Sequence, residues 1–85
     1  MNFKVKTNFA GEVDLELEEA TIEKLLIALS QKVGYSIYSP NDRKLNGDFM
    51  VYLNGQEYEN LPSGVDTQIG YGDRIEVNMV VLVGG

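Results

Sequence analysis

The residues with the clearest chemical potential lie at the end of the sequence, where Val80-Val81-Leu82-Val83 leads into Gly84-Gly85. A carboxylate is a poor acylating group until it is activated. Transfer to the α-phosphate of ATP gives an acyl-adenylate that a sulfur nucleophile can open, and an enzyme doing this must close around the carboxylate and exclude water. A tail threading so narrow a site has no room for Cβ atoms near its end, and glycine permits close backbone approach. Six extended residues reach roughly 20 Å. Leu82 and Val83 would then anchor the tail in apolar pockets beside main-chain hydrogen bonds. On this reading Gly85 carries the reactive carboxylate and Gly84 provides the clearance. At an average glycine usage of ~7%, two final glycines arise by chance in about one chain in two hundred. A frayed end or a remnant of cloning gives the same pair, so the pair gains weight only on a fold that uses it.

Elsewhere the composition removes most side-chain chemistry. The 85 residues contain no Cys and no His. There is therefore no disulfide framework and no thiol nucleophile, and both the commonest general base and the commonest metal ligand are missing. Carboxylate-only chemistry and oxygen-ligated metals remain open, but Glu18-Glu19 and Asp14/Glu16 have no companion that suggests a glycosidase-type pair. Asp42 and Asp48 lack the spacing of a calcium loop. Gly70-Tyr71-Gly72 reads as a turn: no third glycine or helix follows, and Asp73 would repel a phosphate. Lys4, Lys6 and Arg43-Lys44 are too few and too diluted by acids for a nucleic-acid footprint. The formal net charge of −6 disfavours nucleic acid and anionic lipid and suits a partner with a basic docking surface, although it also serves plain solubility. No apolar run approaches the ~20 residues of a membrane span, and Met1-Asn2-Phe3-Lys4 does not resemble a signal peptide. A cytoplasmic protein is the expectation.

The elements that must position the tail are legible from periodicity. Phe3, Val5 and Thr7 alternate with polar residues, as do Val13, Leu15 and Leu17 after the Ala10-Gly11 turn, which predicts a hairpin. Ile22, Leu25, Leu26, Leu29 and Val33 then fall on one helical face. Thr21 is the expected N-cap and Gly34 the left-handed closing residue. Glu18, Glu19 and Glu23 sit near the positive end of the helix dipole and Lys32 near its negative end. From Tyr35 to Asn46 the pattern breaks around the Ser39-Pro40-Asn41-Asp42 turn, with Tyr35, Ile37 and Tyr38 expected to pack under the sheet edge, the alternative being that they face a partner. Phe49, Val51 and Leu53 alternate inward, with Met50 and Tyr52 on the opposite face. Asn54-Gly55 predicts a type I′ turn into a short return strand over Gln56–Glu59. A loop follows over Leu61–Tyr71, with a helical turn near Pro62. After Gly72-Asp73, Ile75, Val77 and Met79 make the last strand.

A right-handed crossover through the helix sets the last strand parallel to the first. The predicted fold class is α+β: a β-grasp (ubiquitin-like) roll, with a mixed four- to five-stranded sheet and one helix packed across it. Residues 1–85 are expected to form a single domain, with 80–85 as its extended tail.

With that order of elements in place, the sequence resembles the MoaD/ThiS family of ubiquitin-related sulfur carriers of the molybdopterin and thiazole (thiamine) pathways. The likeness rests on Thr21 to Leu29 (T-I-E-K-L-L-I-A-L), Val51-Tyr52-Leu53-Asn54-Gly55, Gly72-Asp73-Arg74-Ile75-Glu76-Val77 and the final Gly84-Gly85. The resemblance implies that this chain is a carrier and not itself an enzyme. An E1-like adenylating enzyme, using ATP and magnesium, would activate Gly85. A persulfide donor would convert the adenylate to a thiocarboxylate, and a sulfur-accepting synthase would receive the sulfur. No cofactor would be bound by the chain itself. Val80-Val81-Leu82-Val83 departs from the proline-containing lead-in of the molybdopterin carriers, and the stretches Tyr35–Asn46 and Asn60–Ile69 are long for the thiazole carriers, so the pathway stays open. Two alternatives remain: a protein modifier joined to lysines through Gly85, and a binding module that docks through Met50, Tyr52, Val80 and Leu82.

Overall fold

A computed structural model describes residues 1–80. Among these, strands β1 (Asn2–Thr7) and β2 (Glu12–Glu16) precede helix α1 (Ile22–Val33). Then come β3 (Tyr38–Ser39), β4 (Lys44–Leu45), β5 (Phe49–Leu53), β6 (Gln56–Glu57) and β7 (Ile75–Met79). The main sheet has the order β2-β1-β7-β5-β6. β7 is central, parallel to β1 and antiparallel to β5. This is the mixed five-stranded β-grasp sheet with α1 packed on one face.

The alternation read from the sequence decides which face is covered. Val5, Leu15, Val51 and Val77 point to the helix and are buried, and they meet Ile22, Leu25, Leu26 and Leu29 of α1. Their neighbours one residue away, among them Lys4, Asp14, Tyr52 and Glu76, stand on the open face, because successive side chains of a strand alternate.

Both predicted helix caps are present. The Thr21 hydroxyl accepts from the Lys24 amide at 3.2 Å, and Gly34 has φ 78° and donates its amide to the Ser30 carbonyl. Asn54 and Gly55 have φ 53° and 84°, as a type I′ turn requires.

Two expectations need correction. The return strand is confined to Gln56–Glu57, and Tyr58–Asn60 form a 3-10 turn instead. Tyr58 and Leu61 pack against the core, and the Leu61 amide donates to the Tyr58 carbonyl at 3.0 Å, so apolar burial bends the chain out of the sheet. A second 3-10 turn, Gly64–Asp66, lies just beyond Pro62. The segment after the helix is also more ordered than a turn signal implies: β3 and β4 form a separate two-stranded sheet. Ile37 and Tyr38 are buried as expected, whereas Tyr35 is 49% exposed.

Candidate functional site

The last described residue, Val80, lies at the end of the central strand. β1 stops at Thr7, so β7 runs past its partner, and a side chain takes over the pairing. Asn8 donates from Nδ2 to the Met79 carbonyl at 2.9 Å and accepts at Oδ1 from the Met79 amide at 2.7 Å. On the other flank the Val80 amide donates to the Asp48 carbonyl at 2.7 Å. Asp48 is itself set by Asn46, whose Oδ1 accepts from the Asp48 amide at 2.9 Å. The backbone is thus held from both sides up to the residue before Val81.

Beside this exit lies an apolar groove lined by Tyr35, Phe49, Met79 and Val80, with Asn46 and Asp48 at its rim. Phe9 meets Tyr35 and Phe49 edge-to-face, with centroids 5.7 and 5.4 Å apart. Val80 is 36% exposed, enough to be reached by a partner. The sequence does not mark Asn8, Asp48 and Phe9 as site residues. Asn8 is 71 positions from its partner, and no local pattern encodes such a pairing.

Of the residues singled out from the sequence, Met50 and Tyr52 are brought together on the open face, where the Tyr52 hydroxyl lies 3.5 Å from the Met50 sulfur. In register they oppose Asn78 and Glu76 of β7. Val80 sits at the strand end in the groove just described. Leu82, Val83, Gly84 and Gly85 lie outside the described residues.

Two charged clusters brace the scaffold. Glu23 of α1 accepts from the Tyr38 hydroxyl at 2.6 Å and from Arg43 Nε at 3.0 Å, and Arg43 Nη2 also donates to Asp66. The Tyr38 and Arg43 donors hold the Glu23 carboxyl below its ordinary range. Burial, reinforced by Glu23, pushes the Tyr38 phenol up to about 12. At the start of β7, Asp73 accepts from the Gly70 amide at 2.7 Å and the Asn54 side chain at 3.1 Å, which keeps its carboxyl low. Asn54 also accepts from the Arg74 amide at 2.8 Å, so the β5–β6 turn and the entry to β7 are tied together. Among the described residues no group of three or more potential ligands stands close enough to hold a metal ion, and no helix is long and apolar enough to cross a membrane.

The topology and the strand-end exit define a ubiquitin-like β-grasp protein. Small archaeal modifier protein 1 (SAMP1) from Methanosarcina acetivorans is similar at 28% identity and TM-score 0.67, over 96% of this chain and 94% of that one. SAMP1 from Haloferax volcanii matches all of both chains at TM-score 0.73 and 17% identity. The structure of the Amycolatopsis orientalis BexX/CysO complex matches at TM-score 0.66 and 18% identity, over 95% and 98%. The neighbours below a quarter identity show the fold. As a group these proteins are ubiquitin-like carriers and modifiers of the MoaD/ThiS type, the type that the sequence resembles. No protein-family model and no curated protein matches the sequence.

Proposed function

We propose that this chain is a sulfur carrier, a protein co-substrate without catalysis of its own, that works through the carboxylate of Gly85 in the cytoplasm. The observation that carries the reading is the double clamp on the end of β7. Asn8 and Asp48 fix the backbone at Met79 and Val80, five residues before Gly85. A partner that binds the domain therefore receives the terminal segment from a defined starting point. Fixing one end of a segment lowers the ordering cost of threading it into a closed site.

The chemistry follows from the group. On an E1-like adenylating enzyme supplied with ATP and magnesium, a Gly85 carboxylate oxygen attacks the α-phosphorus and pyrophosphate leaves. The terminal sulfur of a persulfide donor then attacks the acyl carbon and AMP leaves. A thiol reduces the resulting acyl disulfide to the thiocarboxylate, becoming oxidised to a disulfide with the donor. A synthase accepts the sulfur for a cofactor of the molybdopterin or thiamine type. Gly84 provides clearance, while Val83 and Leu82 seat the tail. Met50 and Tyr52, half-exposed on the open face, and Val80, exposed at the strand end, supply the apolar docking contacts.

A second reading is favoured by the neighbours named as archaeal modifiers: after the same activation, a lysine amine displaces AMP and an isopeptide bond forms. Intact mass after co-expression with the cognate adenylating enzyme and its sulfur source separates the two. Replacement of one oxygen by sulfur at the C-terminus supports the carrier. Lysine-linked adducts without that replacement support the modifier. An unchanged chain beside a demonstrably active partner refutes both.

A further inference from the structure

The main sheet has one long unpaired edge among the described residues, and its backbone is aimed outward at fixed positions. β2 pairs only with β1, in the register Phe3↔Leu15, Lys4↔Asp14 and Val5↔Val13. Hydrogen bonds just beyond the strands fix the phase: the Leu17 amide donates to the Met1 carbonyl, and the Thr7 amide donates to the Gly11 carbonyl. Antiparallel partners alternate between bonded and non-bonded pairs, so Leu15 and Val13 bond inward to β1. Glu12, Asp14 and Glu16 consequently direct their amides and carbonyls away from the sheet. The partner found on that outer row is Lys32, whose Nζ donates to the Asp14 carbonyl at 2.9 Å.

We infer that this edge is a docking site for an extended, basic segment of another protein, added to the sheet as a further strand. Residues of the added strand directly opposite Glu12, Asp14 and Glu16 would share their face, where opposite charges stabilise and like charges destabilise a cross-strand pair. Lysine or arginine at alternate positions therefore fits, sharing these exposed acids with Lys4, which pairs with Glu12 and Asp14, and with the Met1 amine, which pairs with Glu16. The intervening side chains would point toward the flank of α1, where Leu17, Ile27 and Ala28 form the floor of a shallow groove that Glu18, Glu19 and Lys24 also line, so small apolar or amphipathic residues fit there. A second copy of this chain does not suit the edge, because its own β2 would set acid against acid. β2 and β1 would both lie between the added strand and β7, which places it roughly 14 Å from the strand that carries the tail. The site can be filled while the tail is engaged, and its existence does not depend on the chemistry at Gly85.

The test uses the full chain, isotopically labelled, and two blocked synthetic octapeptides, one alternating lysine with valine and the other glutamate with valine. The basic peptide is expected to protect the amides of Glu12, Asp14 and Glu16 from exchange while leaving the already bonded Val13 and Leu15 unchanged. It should lose most of its affinity at high salt, since exposed charge pairs are screened. Asp14→Pro removes one outward donor without touching the inner ladder, and it should abolish the protection while the far-ultraviolet circular dichroism stays native. If that variant does not fold, Glu12→Gln with Asp14→Asn and Glu16→Gln replaces it and should erase the preference for the basic peptide. Equal binding of both peptides to the unmodified chain, shifts centred on Met50 and Tyr52, or self-association through β2 would each overturn the proposal, as would the absence of protection.

Discussion

Asn8 grips the backbone of Met79 with both ends of its side-chain amide, donating at 2.9 Å and accepting at 2.7 Å. A neighbouring strand makes the same pair of bonds in a ladder, so the β1–β2 turn substitutes for one residue of strand exactly where β1 gives out. Asn8→Ala removes both bonds at an exposed site. The expected cost is about 1 kcal/mol in denaturant unfolding, with faster amide exchange at Met79 and Val80 and little change elsewhere. Unchanged exchange at Met79 would show that the clamp does not hold the strand end.

The Glu23–Tyr38–Arg43 cluster gives the protein a pH signature. The folded Glu23 carboxyl lies below its ordinary value of 4.5, first through the Tyr38 hydroxyl and then through Arg43, with a smaller contribution from Lys24. A lowered acid contributes stability that is full above the ordinary value and is lost as pH falls below it. Glu23→Gln should therefore flatten the acid limb of the stability profile while leaving the neutral region less changed. The Tyr38 phenol, raised from 10.0 to about 12, has the opposite sign: its contribution is full below 10 and is lost as pH rises toward 12. Ultraviolet titration should show a phenol ionising near pH 12 that is lost in Tyr38→Phe.

Helix α1 supplies two graded stability tests. Leu26, fully buried against the sheet, should cost about 2–5 kcal/mol as Leu26→Ala. Thr21→Ala removes the hydroxyl that caps Lys24 and should cost about 1 kcal/mol, with Thr21→Ser retaining most of it. Urea unfolding measures both, and a larger loss at the cap than in the core would contradict the packing described.

These same elements show what a sequence can and cannot disclose. Val5, Val51 and Val77 are legible because strand alternation and burial coincide. Thr21, Gly34 and Asn54-Gly55 are legible because caps and tight turns are set by residues adjacent in sequence. Asn8 to Met79 and Arg43 to Asp66 join distant positions through side chains, and no periodicity records them. Arg43 even adopts φ 51°, a conformation its residue type does not advertise. Alternation extends the return strand to Glu59 in the sequence because Tyr58 keeps the period, yet Tyr58 is drawn toward the core. The alternation of β5 puts Met50 and Tyr52 on the face opposite the helix, whereas the groove at the exit exists only once Phe9, Tyr35 and Phe49 are brought together by the fold.

Met50 and Tyr52 provide a separate test of docking. Paired substitution to Met50→Ser and Tyr52→Ser should cost less in unfolding than Leu26→Ala, because both side chains stand half-exposed on the open face. It should raise the concentration of this chain needed to half-saturate the adenylating enzyme by roughly tenfold, the effect of losing about 1.4 kcal/mol of contact energy. Unaltered saturation would remove these residues from the docking surface.

The central claim concerns the acid at Gly85, and the most direct measurement is pyrophosphate exchange into ATP catalysed by the cognate adenylating enzyme. The unmodified chain should support exchange, while a chain ending at Val83 and a full-length chain with an amidated Gly85 should not. Exchange that persists with either altered chain would contradict the account, because the carboxylate being activated would then lie elsewhere.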